Sequence, residues 1–152
     1  MTKQTRGNFS IDTSMRPYLI ETHYVGMSDG ETKYSVEVPA KLKKKYFQIY
    51  KKGGVPGFTE KVHCVAIALC INAISSAAIV SIRICTDISK RAMHNNLNLF
   101  LSVELYSKVS GEKADKKSHA HNYVTRIREG KERASIVMNE SHLNKFIRLK
   151  KK

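Results

Sequence analysis

The sequence predicts a single α/β domain, a mixed β-sheet flanked by helices, and three stretches carry that reading. Two alternating runs, 18–25 and 32–38, flank the turn-forming MSDGE at 27–31, with β-branched and aromatic residues at every second position as in a β-hairpin. The stretch VHCVAIALCINAISSAAIV from Val62 to Val80 leads into IVSIRICT at 79–86, a buried helix followed directly by a buried strand. Residues 90–108 bring Leu97, Phe100, Leu101 and Leu105 to one face at helical spacing.

The elements follow in order. Residues 1–8 are a loose basic start, and FSID at 9–12 is a short strand before a Ser/Met/Arg/Pro break. In the hairpin, Tyr18, Ile20, Thr22 and Tyr24 share one face of the second strand, and Tyr34, Val36 and Val38 one face of the third. Pro39 ends that strand because it brings no N–H to a ladder. Residues 40–52 fit a short helix or a further extended segment equally, and GGVPG at 53–57 is a loop. Thr59 is placed to cap the next helix, with Glu60 in its first turn and an end near Ser76. Residues 110–122 form a polar loop, 123–128 and 134–138 are strand candidates, and Asn139 or Ser141 opens a last helix through Leu149. Residues 150–152 are a solvated tail; no repeat or linker divides residues 1–152, a length that suits one domain.

Charge narrows the function. Lys and Arg number 27 against 13 Asp and Glu, a formal net charge of +14. A field of that sign draws polyanions, and DNA or RNA bound through its phosphates would release counterions, so affinity should fall steeply with salt. KLKKKYFQIYKK at 41–52 supplies Lys43, Lys44, Lys45, Lys51 and Lys52 with Tyr46 interleaved, so ammonium groups can follow phosphates while a ring stacks on a base. Arg126, Arg128, Lys131 and Arg133 extend this basic character, with Arg126 and Arg128 on one face of the expected strand. Charge spread in this way suits backbone contact rather than base readout.

The cysteines, Cys64, Cys70 and Cys85, are odd in number and lie in apolar stretches. They read as buried thiols of a reducing compartment, and cytoplasmic is the expected location. No CxxC pair, GxSxG, Walker loop or HExxH occurs. His119 and His121, in SHAH, are expected in a charged loop in reach of phosphate, and His142 beside Glu140 is placed to order a water.

Two strand ends look alike, FSID-TS at 9–14 and ICTD-IS at 84–89, each with an Asp after apolar residues and a hydroxyl nearby. Asp12, Glu60 early in the first long helix, Asp87, and Glu140 at the start of the last helix follow in an order that resembles the ribonuclease H-like nucleases. That family's sheet opens with a three-strand meander, then a helix bearing a Glu, then a strand ending in an Asp. The resemblance spans 9–149 in element order. It departs in the short first strand, in the absence of a glycine-rich turn after Asp12, and in a Glu where the last carboxylate is usually Asp. It implies that Asp12, Glu60, Asp87 and Glu140 are catalytic and that the first three hold Mg²⁺ or Mn²⁺. Two such ions about 3.5–4 Å apart clamp the attacking and leaving oxygens of a phosphodiester.

Two other classes fit the same residues. In a non-catalytic nucleic-acid-binding module the acids are helix caps and loop residues. In a membrane-associated protein, 62–80 is the anchor; His63, Asn72, Ser75 and Ser76 would then need partners in lipid. The reading without a membrane is preferred.

Overall fold

The computed structural model describes residues 6–14, 21–45, 58–85, 89–110 and 118–147. Strands β1 (Asn8–Ser14), β2 (His23–Ser28) and β3 (Lys33–Val38) form an antiparallel meander. Residues 40–45 are helical (α1), and α2 spans Phe58–Ala73. A 3₁₀ turn at Ser76–Ala78 leads to β4 (Ser81–Ile84), which lies parallel to β1. Then come α3 (Lys90–Phe100), α4 (Val103–Ser107), α5 (His119–Arg128), the two-residue β5 (Ile136–Val137) and α6 (Glu140–Phe146). The sheet order is β4-β1-β2-β3-β5, a five-stranded mixed sheet flanked by helices as expected. Val109 adds one parallel bridge to Ile82 on the free side of β4.

The period of two in each strand sorts the residues onto two very different faces. One face carries Phe9, Ile11, Val25, Met27, Val36, Val38, Ile82 and Ile84, all buried in the main core. Helix α2 fills that core: Val62 to Ala68, Cys70 and Ile71 are all buried, because the helix lies against β2 and β3, α3 and α6. A helix enclosed on all sides needs no polar stripe, which accounts for its nearly continuous apolar sequence. The apolar stretch from Val62 to Val80 is thus buried helix, a 3₁₀ turn and the approach to β4. Among the described residues no helix is long and apolar enough to cross a membrane.

The other face carries Ser10, Asp12, Ser14, Gly26, Ser28 and Ser35, and α5 packs over β1 and β2 there. Ala120, Tyr123, Val124 and Ile127 are its buried residues, at helical spacing. Hydrogen bonds bind the two: the Ala120 N–H donates to Ser10 Oγ at 3.2 Å, and Ser35 Oγ meets the Tyr123 hydroxyl at 2.7 Å. Gly26 lets the helix approach, since a Cβ there would stand 2.5 Å from Val124 Cγ1 and 3.1 Å from Tyr123 Cδ2. Gly26→Ala should therefore destabilise the fold by about 1–3 kcal/mol, the usual cost of overpacking, read as a lower urea midpoint. An unchanged midpoint would mean that α5 does not sit this close.

Several boundaries differ from the sequence reading. The second strand runs further along the chain than 18–25 suggests: Gly26 and Met27 belong to β2, and the turn closes from Asp29 to Thr32, while residues 18–20 lie outside the described residues. Residues 119–128 are helix rather than loop and strand. Ser118 caps it, its hydroxyl accepting from the His121 N–H at 3.2 Å. The helical run at 90–108 breaks at Leu101 and Ser102, where Ser102 caps α4.

Candidate nucleic-acid interface

Asp12 is not at a strand end. It sits within β1, opposite Gly26, with its side chain turned to α5 and almost wholly buried. A carboxylate there requires partners, because an unpaired buried charge is costly. Oδ2 accepts from His121 Nδ1 at 2.8 Å and Oδ1 from the Thr13 N–H at 2.8 Å. This bond orients the half-exposed His121 ring. The product is an oriented imidazole on the outer surface of α5.

Helix α5 sets its polar residues on two flanks. His119, Asn122 and Arg126, at i, i+3 and i+7, border the β2–β3 turn; His121 borders β1, with Thr125 and Arg128 following it at i+4 and i+7. His119, His121, Asn122, Arg126 and Arg128 are exposed, and no acidic residue falls between His119 and Arg128. Exposed Lys131 and Arg133 follow directly. The acids nearby are engaged: Glu129 faces Lys131 at 3.4 Å, and Glu132 pairs with Lys33 and lies 3.8 Å from Arg126.

The lysine run divides. Lys44 and Lys45 are exposed on α1, and Lys45 forms an ion pair with Glu140 at the start of α6. Lys43, expected among the phosphate contacts, is instead buried. Burial lowers its pKa to about 8, against the opposing pull of Glu21. Tyr46, Lys51 and Lys52 lie outside the described residues.

The described carboxylates of the resemblance lie apart from one another. Glu60 belongs to α2, across the sheet from the α5 side that Asp12 faces, and Glu140 is held by Lys45. Asp87 lies outside the described residues, and among those described no group of three or more His, Cys, Asp or Glu is placed to hold a metal ion. His142 serves α6 in a capping box, its Nδ1 accepting from the Asn139 N–H at 3.0 Å while Asn139 Oδ1 accepts from the His142 N–H. Cys64 and Cys70 are buried as expected, whereas Cys85 is only half-buried; burial, then the charge of Glu60, pushes Cys64 up to about 12, and burial raises Cys70 further, which makes both poor nucleophiles.

Two features escaped the sequence. His23 and His63 meet inside the core, His63 Nδ1 lying 3.3 Å from His23 Nε2 and His63 Nε2 3.4 Å from Thr13 Oγ1. Asp29, nearly wholly buried, accepts from three main-chain N–H groups. The first joins residues distant in sequence and has no local signature; the second was legible only as part of a turn. Comparison with family models, curated proteins and solved structures found no match.

Proposed function

We propose that this protein binds nucleic acid through its phosphate backbone, along the surface made by the outer face of α5 and residues 131–133. The observation that carries the reading is the run of exposed His119, His121, Arg126, Arg128, Lys131 and Arg133, whose intervening acids are only Glu129 and Glu132. A formal +14 places that surface in a positive field that draws polyanions from all sides. Exposed Lys44 and Lys45 add charge elsewhere on the domain, and a cytoplasmic setting belongs to the same proposal. Charge spread along a surface suits backbone contact rather than base readout, so DNA and RNA are both admitted.

Phosphodiester hydrolysis is a second reading, supported by the order of a three-strand meander, a helix bearing Glu60 and a fourth strand. The placement of its acids fits a two-ion clamp poorly. Both oxygens of Asp12 already accept hydrogen bonds, and Glu60 stands across the sheet. What the chain itself offers is an imidazole oriented by a buried carboxylate.

The test replaces Arg126, Arg128, Lys131 and Arg133 together by Gln. Binding of labelled duplex DNA and single-stranded RNA is then measured against salt, with and without Mg²⁺. If each cation neutralises one phosphate, the slope of log affinity against log salt should become shallower by about 3–4 for the duplex. The same slope in both proteins would remove this surface from the interface, and absence of binding by the parent protein would end the nucleic-acid reading.

A further inference from the structure

Beside α5, where it borders the β2–β3 turn, lies a half-open groove of about 250 Å³. Ser28, Lys33, His119, Asn122 and Arg126 line it, with Glu31 the one carboxylate. We infer that this groove is a phosphate-binding site that seats one phosphate group of a bound polynucleotide. The identity of its ligand rests on the nucleic-acid reading above; its preference for an oxyanion rests on the groove alone.

The lining is a set of donors with few internal demands. Ser28 Oγ accepts from the Gly30 N–H at 3.0 Å, which leaves its own hydrogen to give. Among the described residues, neither the His119 ring nor the Asn122 side-chain amide has a hydrogen-bond partner. Arg126 spends one guanidinium nitrogen on Glu132 at 3.8 Å, a distance beyond a hydrogen bond, so its N–H groups stay available. Lys33 lies 5.1 Å from the Tyr123 ring centroid and pairs with Glu132, two contacts that hold its ammonium group beside the groove. The Glu31 carboxylate is partly offset by Arg6 at 3.9 Å.

The groove is also placed by rigid parts. Asn122 and Arg126 sit one turn apart on α5, and the turn opposite is fixed by the Asp29 carboxylate through the Glu31 and Thr32 N–H groups. Gly30 has a φ of 98°, and a Cβ there would press on the His119 ring at 3.1 Å. The residue at the turn therefore lets the imidazole lie flat against the main chain. A planar guanidinium, an amide, an imidazole and a hydroxyl converging from two sides suit a tetrahedral oxyanion, whose several oxygens each need a donor.

The experiment is a titration of the full chain with inorganic phosphate at constant pH and ionic strength, following the imidazole resonances of His119 and the Arg126 Nε–H by NMR. Saturable shifts at both are expected. Asn122→Asp, an exposed helical substitution that places a carboxylate in the groove, should weaken phosphate binding by about tenfold or more. Shifts no larger than those caused by chloride, or equal phosphate affinity in the variant, would overturn the site. An oligonucleotide titration separates the two readings. Phosphate binding without oligonucleotide binding would keep the groove and remove the proposed partner. Oligonucleotide binding with no response to phosphate would remove the groove and keep the partner.

Discussion

Asp29→Ala is expected to destabilise the fold by about 3–5 kcal/mol, a large part of the margin of a small domain. Asp29 is charged and almost wholly buried, so the origin of its stability lies in its partners. Oδ1 accepts from the Glu31 and Thr32 N–H groups at 2.9 and 2.7 Å and closes the β2–β3 turn; Oδ2 accepts from the Gly7 N–H at 2.8 Å. That last bond joins the residue before β1 to the far end of β2. Removing the carboxylate leaves these N–H groups without an acceptor in a place water enters poorly. Burial pulls the Asp29 pKa up, yet the Gly7, Thr32 and Glu31 N–H groups win and hold it below the usual carboxylate value. With a lowered folded pKa, its contribution is present above the unfolded value near 3.8 and is lost as pH falls through the folded one. The Asp29→Asn side chain keeps one oxygen for the turn but has no second for Gly7. Urea midpoints should therefore fall from the parent to Asp29→Asn and again to Asp29→Ala. Equal midpoints for the parent and Asp29→Ala would mean that the carboxylate does not join turn and strand.

The apolar face was easy to read in the sequence, and the polar face was not. Hydrophobic residues at every second position of 32–38 signal a strand, and β3 forms at Lys33–Val38. Ser10, Asp12 and Ser14 in β1 looked like the approach to a break, because polar residues on a strand usually mark solvent or a turn. Here they face α5, which gives them hydrogen bonds, and the strand runs on to Ser14. The covering helix was misread for a related reason: Tyr123, Thr125 and Ile127 alternate with Val124, Arg126 and Arg128, which mimics a strand. Ser118 as a cap and Ala120, Tyr123, Val124 and Ile127 at helical spacing were the competing signal, and burial against Gly26 makes that one prevail. Asp12 drew notice as a charge among apolar residues, but its partner His121 lies 109 positions away and no local rule links them. The lysine run shows the same limit, since nothing local separates buried Lys43 from exposed Lys44 and Lys45.

The second large effect is acid lability from the His23–His63 pair. Burial, and then the charge of Lys43, lowers His63 to about 3; burial, His63 and Lys43 lower His23 well below 6.5. Among the described residues, the groups that face the pair offer it no compensating charge: Thr13 is neutral, Lys43 is a cation and Glu21 is drawn to Lys43. Both imidazoles are therefore neutral in the fold, whereas the unfolded chain protonates them as pH drops below about 6.5. More protons bound to the unfolded state means that stability rises with pH in this window and falls on acidification. Each group contributes about 1.4 kcal/mol per pH unit, so two give roughly 5 kcal/mol between pH 6.5 and 4.5. Thermal melts should show a steep loss of Tm across that window, and His63→Gln, which keeps an amide near Thr13 but cannot titrate, should halve the slope. A parent protein with flat stability from pH 7 to 4.5 would show that the pair is open to water or already charged. The same slope in parent and variant would place the acid sensitivity on other groups. The interior of this domain would then be set by pH independently of its basic surface, because the pair lies on the α2 side of the sheet and the proposed interface on the α5 side.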